Sequence, residues 1–134
     1  MPAPKHYTTN GNAITITRYN GPGGAVTIPE TITGLPVTWI GVDAFYNCSN
    51  LTSITIPQSV TNLDNQVFFG CSQLTAVDLP TNLVNIGTEA FYKSGITNVT
   101  IPASVTNIYY DGRMAILSNS ASSSNSPAAN LFDI

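Results

Sequence analysis

Aromatic side chains recur at a fixed spacing and are the residues of this sequence best suited to hold a ligand. Tyr46, Phe69 and Tyr92 are separated by 23 residues at each step, and each directly follows a phenylalanine. If the chain coils with that period, the three rings stack along one edge of the fold, where they can grip a sugar ring or a protein loop. The alternative is an aromatic ladder that only shields the edge of each coil.

A column of small polar residues repeats with the same period. Its members, in chain order, are Thr27, Ser53, Thr55, Ala76, Asp78, Asn98 and Thr100. A regular row of threonines can order water, as an ice-binding face does, but Asp78 interrupts the row, and threonine is also common in strands for packing reasons alone. The candidate binding surface therefore comprises Ser53, Thr55, Asp78, Asn98 and Thr100 in this polar column, together with the aromatic residues Tyr46, Phe69 and Tyr92.

Residue types that catalyse reactions are scarce and isolated. The one histidine, His6, lies near the start of the chain, without the orienting third group that a Ser-His-Asp or Cys-His site requires. Asp43, Asp64 and Glu89 would lie near one corner, where calcium is an option, but solvated turn residues are the favoured interpretation. Residues 21–24 are rich in glycine but precede a strand, so they do not form a phosphate loop. We expect no enzyme activity, no cofactor and no metal site.

The two cysteines, Cys48 and Cys71, are also 23 residues apart. In adjacent coils their Cα atoms would lie about 5 Å apart, which permits a disulfide. The alternative, which we favour, is a pair of small buried hydrophobic side chains that occupy one packing position of the repeat.

The repeat that positions these residues has a period of 23. Three columns mark its register: Phe45, Phe68 and Phe91; Val37, Val60 and Leu83; and Ile40, Leu63 and Ile86. A fixed period between about 20 and 50 residues indicates a repeat architecture. Within one coil, Ile54 and Ile56 alternate with Ser53 and Thr55, which predicts a half-buried strand that ends at Pro57. Because each coil exposes an apolar edge that it cannot bury alone, parallel strands should stack about 4.8 Å apart.

Three regions are expected along the chain. Residues 1–24 form an N-terminal segment with a capping hairpin, residues 25–112 form the solenoid, and residues 113–134 form an irregular, Ser-rich tail. The hairpin is predicted to join a strand at 13–17 to the first repeat strand at 25–28. The solenoid is predicted to have about four coils of 22 to 23 residues, with short parallel strands and little α-helix.

The C-terminal end of the solenoid shows no cap in the sequence, because the period ends after Ile108. A strand near residues 99–101 would then offer an open edge. The apolar ending at residues 131–134 would cover that edge, either in the same molecule or in a neighbour.

Several columns agree in every copy of the repeat. The pattern reads Leu-Thr-x-Ile-Thr-Ile-Pro-x-Ser-Val-Thr-x-Ile-Gly-x-x-Ala-Phe-x-x-Cys and extends over about residues 7–110. It resembles the BspA-like class of leucine-rich repeats. Asp64 and Tyr109 depart from the pattern where it has glycine, and the third repeat lacks the cysteine. The resemblance implies a curved solenoid with the Ile-Thr-Ile strands on its concave side. It also implies a usual place on bacterial or protozoal surfaces, in adhesion or host-protein binding.

Charged residues are sparse, at 8% of the chain, and the formal net charge is −3. The four basic residues are scattered, so nucleic acids and anionic membrane surfaces are poor partners. No apolar run reaches the roughly 20 residues that span a bilayer, so membrane insertion is not expected. The first residues lack the apolar stretch of a signal peptide, and we expect the sequence to begin after a removed signal.

Together these features predict a non-enzymatic module that binds a protein or a glycan and belongs to a secreted or cell-surface protein. The alternative is a structural solenoid that assembles with itself through its open C-terminal edge and tail. The identity of the partner is not encoded in any motif of the sequence.

Overall fold

Each of the first three coils contributes short strands to two separate sheets. The computed structural model describes residues 6–97, 99–110 and 113–116, and these form a β-solenoid of about four turns. The strands are β1 (Tyr7–Asn10), β2 (Ala13–Ile16), β3 (Gly24–Thr27), β4 (Thr31–Ile32), β5 (Leu35–Ile40), β6 (Leu51–Thr55), β7 (Asn62–Leu63), β8 (Ala76–Asp78), β9 (Asn85–Ile86), β10 (Asn107–Tyr110) and β11 (Arg113–Ile116). The predicted class, a solenoid of short parallel strands, is confirmed. In this described part of the chain, no helix is long and apolar enough to cross a membrane.

The smaller sheet consists of β3, β6 and β8, which run parallel to one another. Val26 pairs with Ile54, and Ile54 pairs with Val77, so residues one repeat apart lie side by side. This pairing is the stack of Ile-Thr-Ile strands that the 23-residue period predicts.

The fourth strand that the sequence predicts in the smaller sheet is absent at residues 99–101. The preceding corner explains the difference, because it is one residue shorter than in the coil before it. The Leu74 N–H donates to the Cys71 carbonyl at 3.0 Å, whereas the equivalent N–H of Ile96 donates to the Ser94 hydroxyl at 3.3 Å. The fourth coil therefore leaves its corner differently from the coils before it.

The larger sheet runs through the second half of every coil, in the order β1-β2-β5-β7-β9-β10-β11, with β4 paired to β5. Ile40, Leu63, Ile86 and Ile108 lie side by side in its parallel strands. The sequence pattern predicts only an inward turn here, because two-residue strands such as β7 and β9 are too short to show an alternation.

An N-terminal hairpin caps the solenoid, as predicted, but its strands differ from the predicted ones. β1 pairs antiparallel with β2, and Gly11 makes the turn with a φ of 63°. The predicted pairing of residues 13–17 with residues 25–28 is wrong, because β2 belongs to the larger sheet and β3 to the smaller one. The glycine-rich segment between them is a crossover from one sheet to the other.

The C-terminal end of the larger sheet also carries a hairpin, which the sequence pattern does not reveal. β10 pairs antiparallel with β11, and Asn107 lies opposite Ile116. The region predicted as irregular therefore begins with a strand. Residues 117–134, which include the Ser-rich stretch and the apolar ending, lie outside the described residues, and the predicted role of that ending is untested.

One continuous apolar core joins the two sheets. Its largest side chains, Phe45, Phe68 and Phe91, are at most 1% exposed and stack with centroids 5.4 and 5.5 Å apart. Tyr19 extends the stack from the N-terminal side, 5.1 Å from Phe45. Removing one buried phenylalanine ring from such a core costs about 3–5 kcal/mol, so this column accounts for much of the stability of the solenoid.

Candidate functional site

The aromatic column, defined as Tyr46, Phe69 and Tyr92, forms as the period predicts. The Tyr46 and Phe69 rings are nearly parallel, with centroids 4.9 Å apart and 7° between their planes. The Phe69 and Tyr92 centroids are 5.6 Å apart with the planes tilted by 48°. Tyr46 is 41% exposed, and the two other rings are half-buried. The column is therefore a surface feature in which each ring supports the next.

Backbone hydrogen bonds between successive coils hold the column in register. The Asn47 N–H donates to the Phe69 carbonyl at 2.7 Å, and the Gly70 N–H donates to the Tyr92 carbonyl at 2.9 Å. Both donors have a positive φ, which turns the chain sharply after each aromatic residue. The corner of one coil is thus tied directly to the corner of the next, and the rings are rigidly placed.

Lys93 adds a positive charge to the end of the column. Its Nζ lies 5.8 Å from the centroid of Phe69 and 5.7 Å from that of Tyr92, within the range in which a cation is attracted to a ring face. The facing sides of Tyr46 and Phe69 cover each other and are closed to solvent, and Lys93 places one ammonium group beside the column.

The polar column is confirmed in part as a neighbouring set. Thr55 pairs with Asp78 across the smaller sheet, and Ser53 occupies the same strand, two residues earlier. Thr55 and Asp78 are exposed and Ser53 is half-buried. A cleft of about 430 Å³ beside β8 brings Asp78 and the exposed Thr100 to one lining. Asn98 lies outside the described residues.

The two thiols are unbridged, but only Cys71 is buried and Cys48 is half-buried, so the interpretation of two buried side chains holds for Cys71 alone. The Cys71 thiol is fully buried, and its one hydrogen can be donated either to the Phe45 carbonyl, 2.9 Å from Sγ, or to the sulfur of Cys48. A hydrogen bond between the thiols lowers the pKa of Cys48 and, together with burial, raises the pKa of Cys71 far above its usual value. Cys48 is therefore the more readily ionised of the pair.

The acidic residues near the corners do not gather into a metal site. Within the described part of the chain, no three His, Cys, Asp or Glu side chains lie close enough to share an ion. Glu89 instead accepts a hydrogen bond from the Gln66 amide at 2.7 Å, and Asp64 accepts one from the Trp39 indole at 3.1 Å. His6 contributes its backbone carbonyl to the N-terminal hairpin, where it accepts the Thr17 N–H at 2.8 Å.

A polar groove on the larger sheet has no counterpart in the sequence prediction. It has a volume of about 420 Å³, and its lining includes Trp39, Asn62, Asp64, Asn85 and Tyr109. Two of these residues, Asp64 and Tyr109, are the departures from the glycine of the repeat pattern. The sequence signal for the groove is that these two exceptions and the only tryptophan of the chain lie in neighbouring coils. That signal can be used only once the pairing of the larger sheet is known.

Comparison with known proteins identifies the repeats. The family model of the BspA type leucine rich repeat region matches residues 25–112, in six copies. No curated protein is similar enough to match the chain.

Three solved structures are similar to this one. A leucine rich repeat protein of T. pallidum has 36% identity and a TM-score of 0.73, over 76% of this chain and 49% of that protein. A leucine-rich repeat protein from Bacteroides capillosus has 28% identity and a TM-score of 0.69, over 81% and 94% of the two chains. A leucine rich cell surface protein from Faecalibacterium prausnitzii has 32% identity and a TM-score of 0.67, and the match covers 79% of this chain and 31% of that protein. The chain thus spans about half the length of the T. pallidum protein.

Proposed function

Because the chain belongs to the BspA-type leucine-rich repeat family, whose members typically mediate interactions, we propose that it is a non-enzymatic binding module of a secreted or cell-surface protein. Its partner is a protein, and the contact surface is the aromatic column with Lys93 beside it. The observation that carries this proposal is the stack of Tyr46, Phe69 and Tyr92, which is exposed yet rigidly held.

The rigidity of the column supports binding because little conformational entropy remains to be lost. Aromatic residues dominate the binding energy of many protein interfaces, and side chains ordered before association spare part of its entropic cost. In this column the backbone bonds from Asn47 and Gly70 fix the corners, and each ring packs on the next. Lys93 adds a charge that can pair with an acidic residue of the partner.

Stacking geometry favours a protein partner over a glycan at this column. A sugar ring binds aromatic side chains by lying on an open ring face. The facing sides of Tyr46 and Phe69 are only 4.9 Å apart at their centroids and are closed to a ligand. Exposed ring edges and phenol hydroxyls are instead the groups that apolar and polar side chains of a protein contact well.

The surface location is part of the same proposal. One similar structure is described as a cell surface protein, and a chain with 8% charged residues that is rich in serine, threonine and asparagine fits an extracellular setting. The chain corresponds to about half of the T. pallidum protein. The proposal therefore concerns the binding surface that this module supplies.

The test compares two triple variants. In one, Tyr46, Phe69 and Tyr92 become alanine; in the other, Ser53, Thr55 and Asp78 of the polar column become alanine. Binding of the labelled chain to intact epithelial cells is measured by flow cytometry, before and after the cell surface is treated with trypsin or with glycosidases. Circular dichroism shows whether each variant remains folded.

We expect the aromatic variant to lose at least about tenfold in binding, since several aromatic contacts disappear together, and the polar variant to retain it. Trypsin, but not glycosidase, should remove the binding sites from the cells. Retained binding by the folded aromatic variant would contradict the choice of surface. Loss after glycosidase treatment alone would contradict the choice of a protein partner.

A second candidate is self-assembly through the C-terminal end of the smaller sheet. It is favoured by one observation: in the described residues, β8 has β6 on one side and no strand on the other. An unpaired strand edge can pair with another chain. Size-exclusion chromatography of the full chain, and of the chain without residues 117–134, tests this candidate. A monomer in both forms contradicts it.

A further inference from the structure

The groove on the larger sheet is a second potential ligand site, separate from the aromatic column. It is lined by Trp39, Asn62, Asp64, Asn85 and Tyr109 and shares no residue with Tyr46, Phe69 or Tyr92. We propose that this groove binds a neutral saccharide, with one sugar ring stacked on Trp39 and its hydroxyls bonded to the asparagine amides and the Asp64 carboxylate. The proposal does not depend on the protein partner proposed above.

The groove is built from residues that the repeat does not require. Opposite Trp39, the next two coils have asparagine in the paired position. Asp64 and Tyr109 occupy the position at which two other coils have glycine, Gly41 and Gly87. Since neighbouring coils form the same strands without these side chains, packing alone does not explain them. All three nevertheless meet at one groove.

Trp39 is held in place and open to solvent. Its indole Nε1–H donates to Oδ2 of Asp64 at 3.1 Å, which fixes the ring across the boundary between two coils. The side chain is 42% exposed, and within the described residues no aromatic ring stacks on it. Tyr46 is exposed to the same extent but stacks on Phe69, whereas Trp39 has no aromatic neighbour among the described residues to compete with a sugar ring.

The asparagines of the groove have their oxygens engaged and their N–H groups available. Oδ1 of Asn62 accepts from the Thr61 hydroxyl at 3.0 Å, and Oδ1 of Asn85 accepts from Nδ2 of Asn107 at 2.5 Å. Among the residues that the structure describes, Nδ2 of Asn62 and Nδ2 of Asn85 make no hydrogen bond. Because the two residues pair across adjacent strands, their backbones lie about 4.8 Å apart, and both side chains line the same groove.

Asp64 supplies the matching acceptor. Its carboxylate already accepts from Trp39 and from the Asn65 backbone N–H at 2.8 Å, but each carboxylate oxygen can accept more than one bond. A sugar hydroxyl both donates and accepts. Vicinal hydroxyls can therefore donate to Asp64 while they accept from the asparagine amides, a combination that a purely apolar ligand would leave unsatisfied.

Charge and size narrow the ligand class. Among the lining residues that the structure describes, Asp64 is the single acidic one and none is a lysine or an arginine, so an anionic sugar would meet repulsion from Asp64. A volume of about 420 Å³ lies within the range of small-ligand sites, about 300–1,000 Å³. Gly87 also lines the groove. It packs directly against the neighbouring coil, since a Cβ there would lie 2.5 Å from the Asn65 backbone nitrogen.

The fluorescence of Trp39 offers a direct test, since it is the only tryptophan of the chain. The full chain is titrated with maltopentaose, cellopentaose and mannopentaose, and with an oligogalacturonate as the anionic probe. We expect a saturable emission shift with at least one neutral oligosaccharide and none with the anionic one. The same shift should persist when Tyr46, Phe69 and Tyr92 are all alanine. No saturable shift with any neutral probe overturns the proposal.

Matched variants assign the response to the groove. Asp64→Asn and Asp78→Asn each remove one carboxylate charge, the first from the groove and the second from the smaller sheet. By calorimetry, we expect Asp64→Asn and Asn85→Ala each to weaken the affinity about tenfold, as the loss of one well-made hydrogen bond does, and Asp78→Asn to leave it unchanged. Equal affinity in all three folded variants, or loss only in Asp78→Asn, overturns the proposal.

A third variant, Trp39→Phe, keeps a ring of smaller area and removes the indole donor. Its affinity, measured by calorimetry, should fall severalfold while the affinity of the aromatic-column variant does not. If the groove instead binds a protein segment, the oligosaccharides will produce no heat and no emission shift, which also contradicts the proposal. Because the protein-binding test uses other residues and other probes, the two proposals fail separately.

Discussion

The aromatic column and the groove are both lined by aromatic side chains, yet they arise in opposite ways. The column follows the repeat, so its rings face one another with centroids 4.9 and 5.6 Å apart. The groove breaks the repeat at Trp39, Asp64 and Tyr109, and its tryptophan is exposed and has no aromatic ring stacked on it among the described residues. Repetition in this solenoid therefore produces mutual packing, whereas the departures from repetition leave groups free to meet a ligand.

This difference follows from how a solenoid is stabilised. Each coil packs mainly on its two neighbours, so a residue type that recurs at one position is selected by contact with its own copies. A residue that appears once at a position has no such copies to contact. Its neighbours in the larger sheet must then be of another type, as Asn62 is beside Trp39. The most sensitive test of this view compares residues that are adjacent in sequence but differ in role.

The largest effect is expected for Phe68→Ala, compared with Phe69→Ala. Phe68 is fully buried between two rings of the core, whereas Phe69 is half-buried in the aromatic column. Loss of the core ring should lower the free energy of unfolding by about 4 kcal/mol, and loss of the column ring by about 1 kcal/mol. Urea denaturation followed by circular dichroism measures both. Equal losses would mean that the column is part of the structural core.

Much of the fold could be predicted because one period accounts for the core. The Phe45, Phe68 and Phe91 column and the parallel stack of β3, β6 and β8 follow directly from the 23-residue spacing. The larger sheet could not be predicted, since strands of two residues leave no alternation to detect. The sequence pattern predicts the wrong strands for the N-terminal hairpin, because it marks a strand but not the sheet to which that strand belongs.

The candidate sites could be predicted only where they repeat. Tyr46, Phe69 and Tyr92 come together as their spacing requires. Trp39, Asp64 and Tyr109 are 25 and 45 residues apart in sequence, and only the register of the larger sheet brings them to one groove. A feature formed by single exceptions in different coils has no period by which the sequence alone can reveal it.

A smaller loss is expected when Gly87 of the groove is replaced, compared with Gly70 behind the column. A Cβ at Gly87 would lie 2.5 Å from backbone atoms of Asp64 and Asn65, which cannot move independently of the coil. A Cβ at Gly70 would meet only the side chain of the exposed Asn47, although its φ of 73° adds strain. We expect Gly87→Ala to cost about 2 kcal/mol and Gly70→Ala about 1 kcal/mol. Denaturant unfolding measures the order, and the reverse order would contradict it.

The two cysteines occupy one position of the repeat but differ in burial and in the direction in which their pKa is shifted. The Cys71 hydrogen bond is the main cause of the lowered pKa of Cys48. Since the thiolate is the form that reacts, Cys48 should be alkylated by iodoacetamide at a lower pH than a free thiol, while the buried Cys71 stays unmodified. In Cys71→Ala the pKa of Cys48 should rise and its alkylation at neutral pH should slow severalfold. Mass spectrometry of the chymotryptic peptides, in which cleavage at Phe68 and Phe69 separates Cys48 from Cys71, measures both rates, and an unchanged rate would remove the thiol hydrogen bond as the cause.

The smallest effect on stability is expected where the groove departs from the repeat. Trp39→Asn and Asp64→Gly each install the residue that a neighbouring coil has in the paired position, so the strands and the core should be retained. Because Trp39 is exposed and Asp64 is half-buried, and the hydrogen bond between them is exposed, we expect each variant to change the free energy of unfolding by no more than about 0.5 kcal/mol. A double variant should change it by little more than Asp64→Gly alone, since the two hydrogen bonds that it loses, from Trp39 and from the Asn65 N–H to Asp64, are both exposed and both end at Asp64. A loss of several kcal/mol in urea denaturation would show that these residues are structural, and the contrast between a regular scaffold and a groove made of exceptions would then fail.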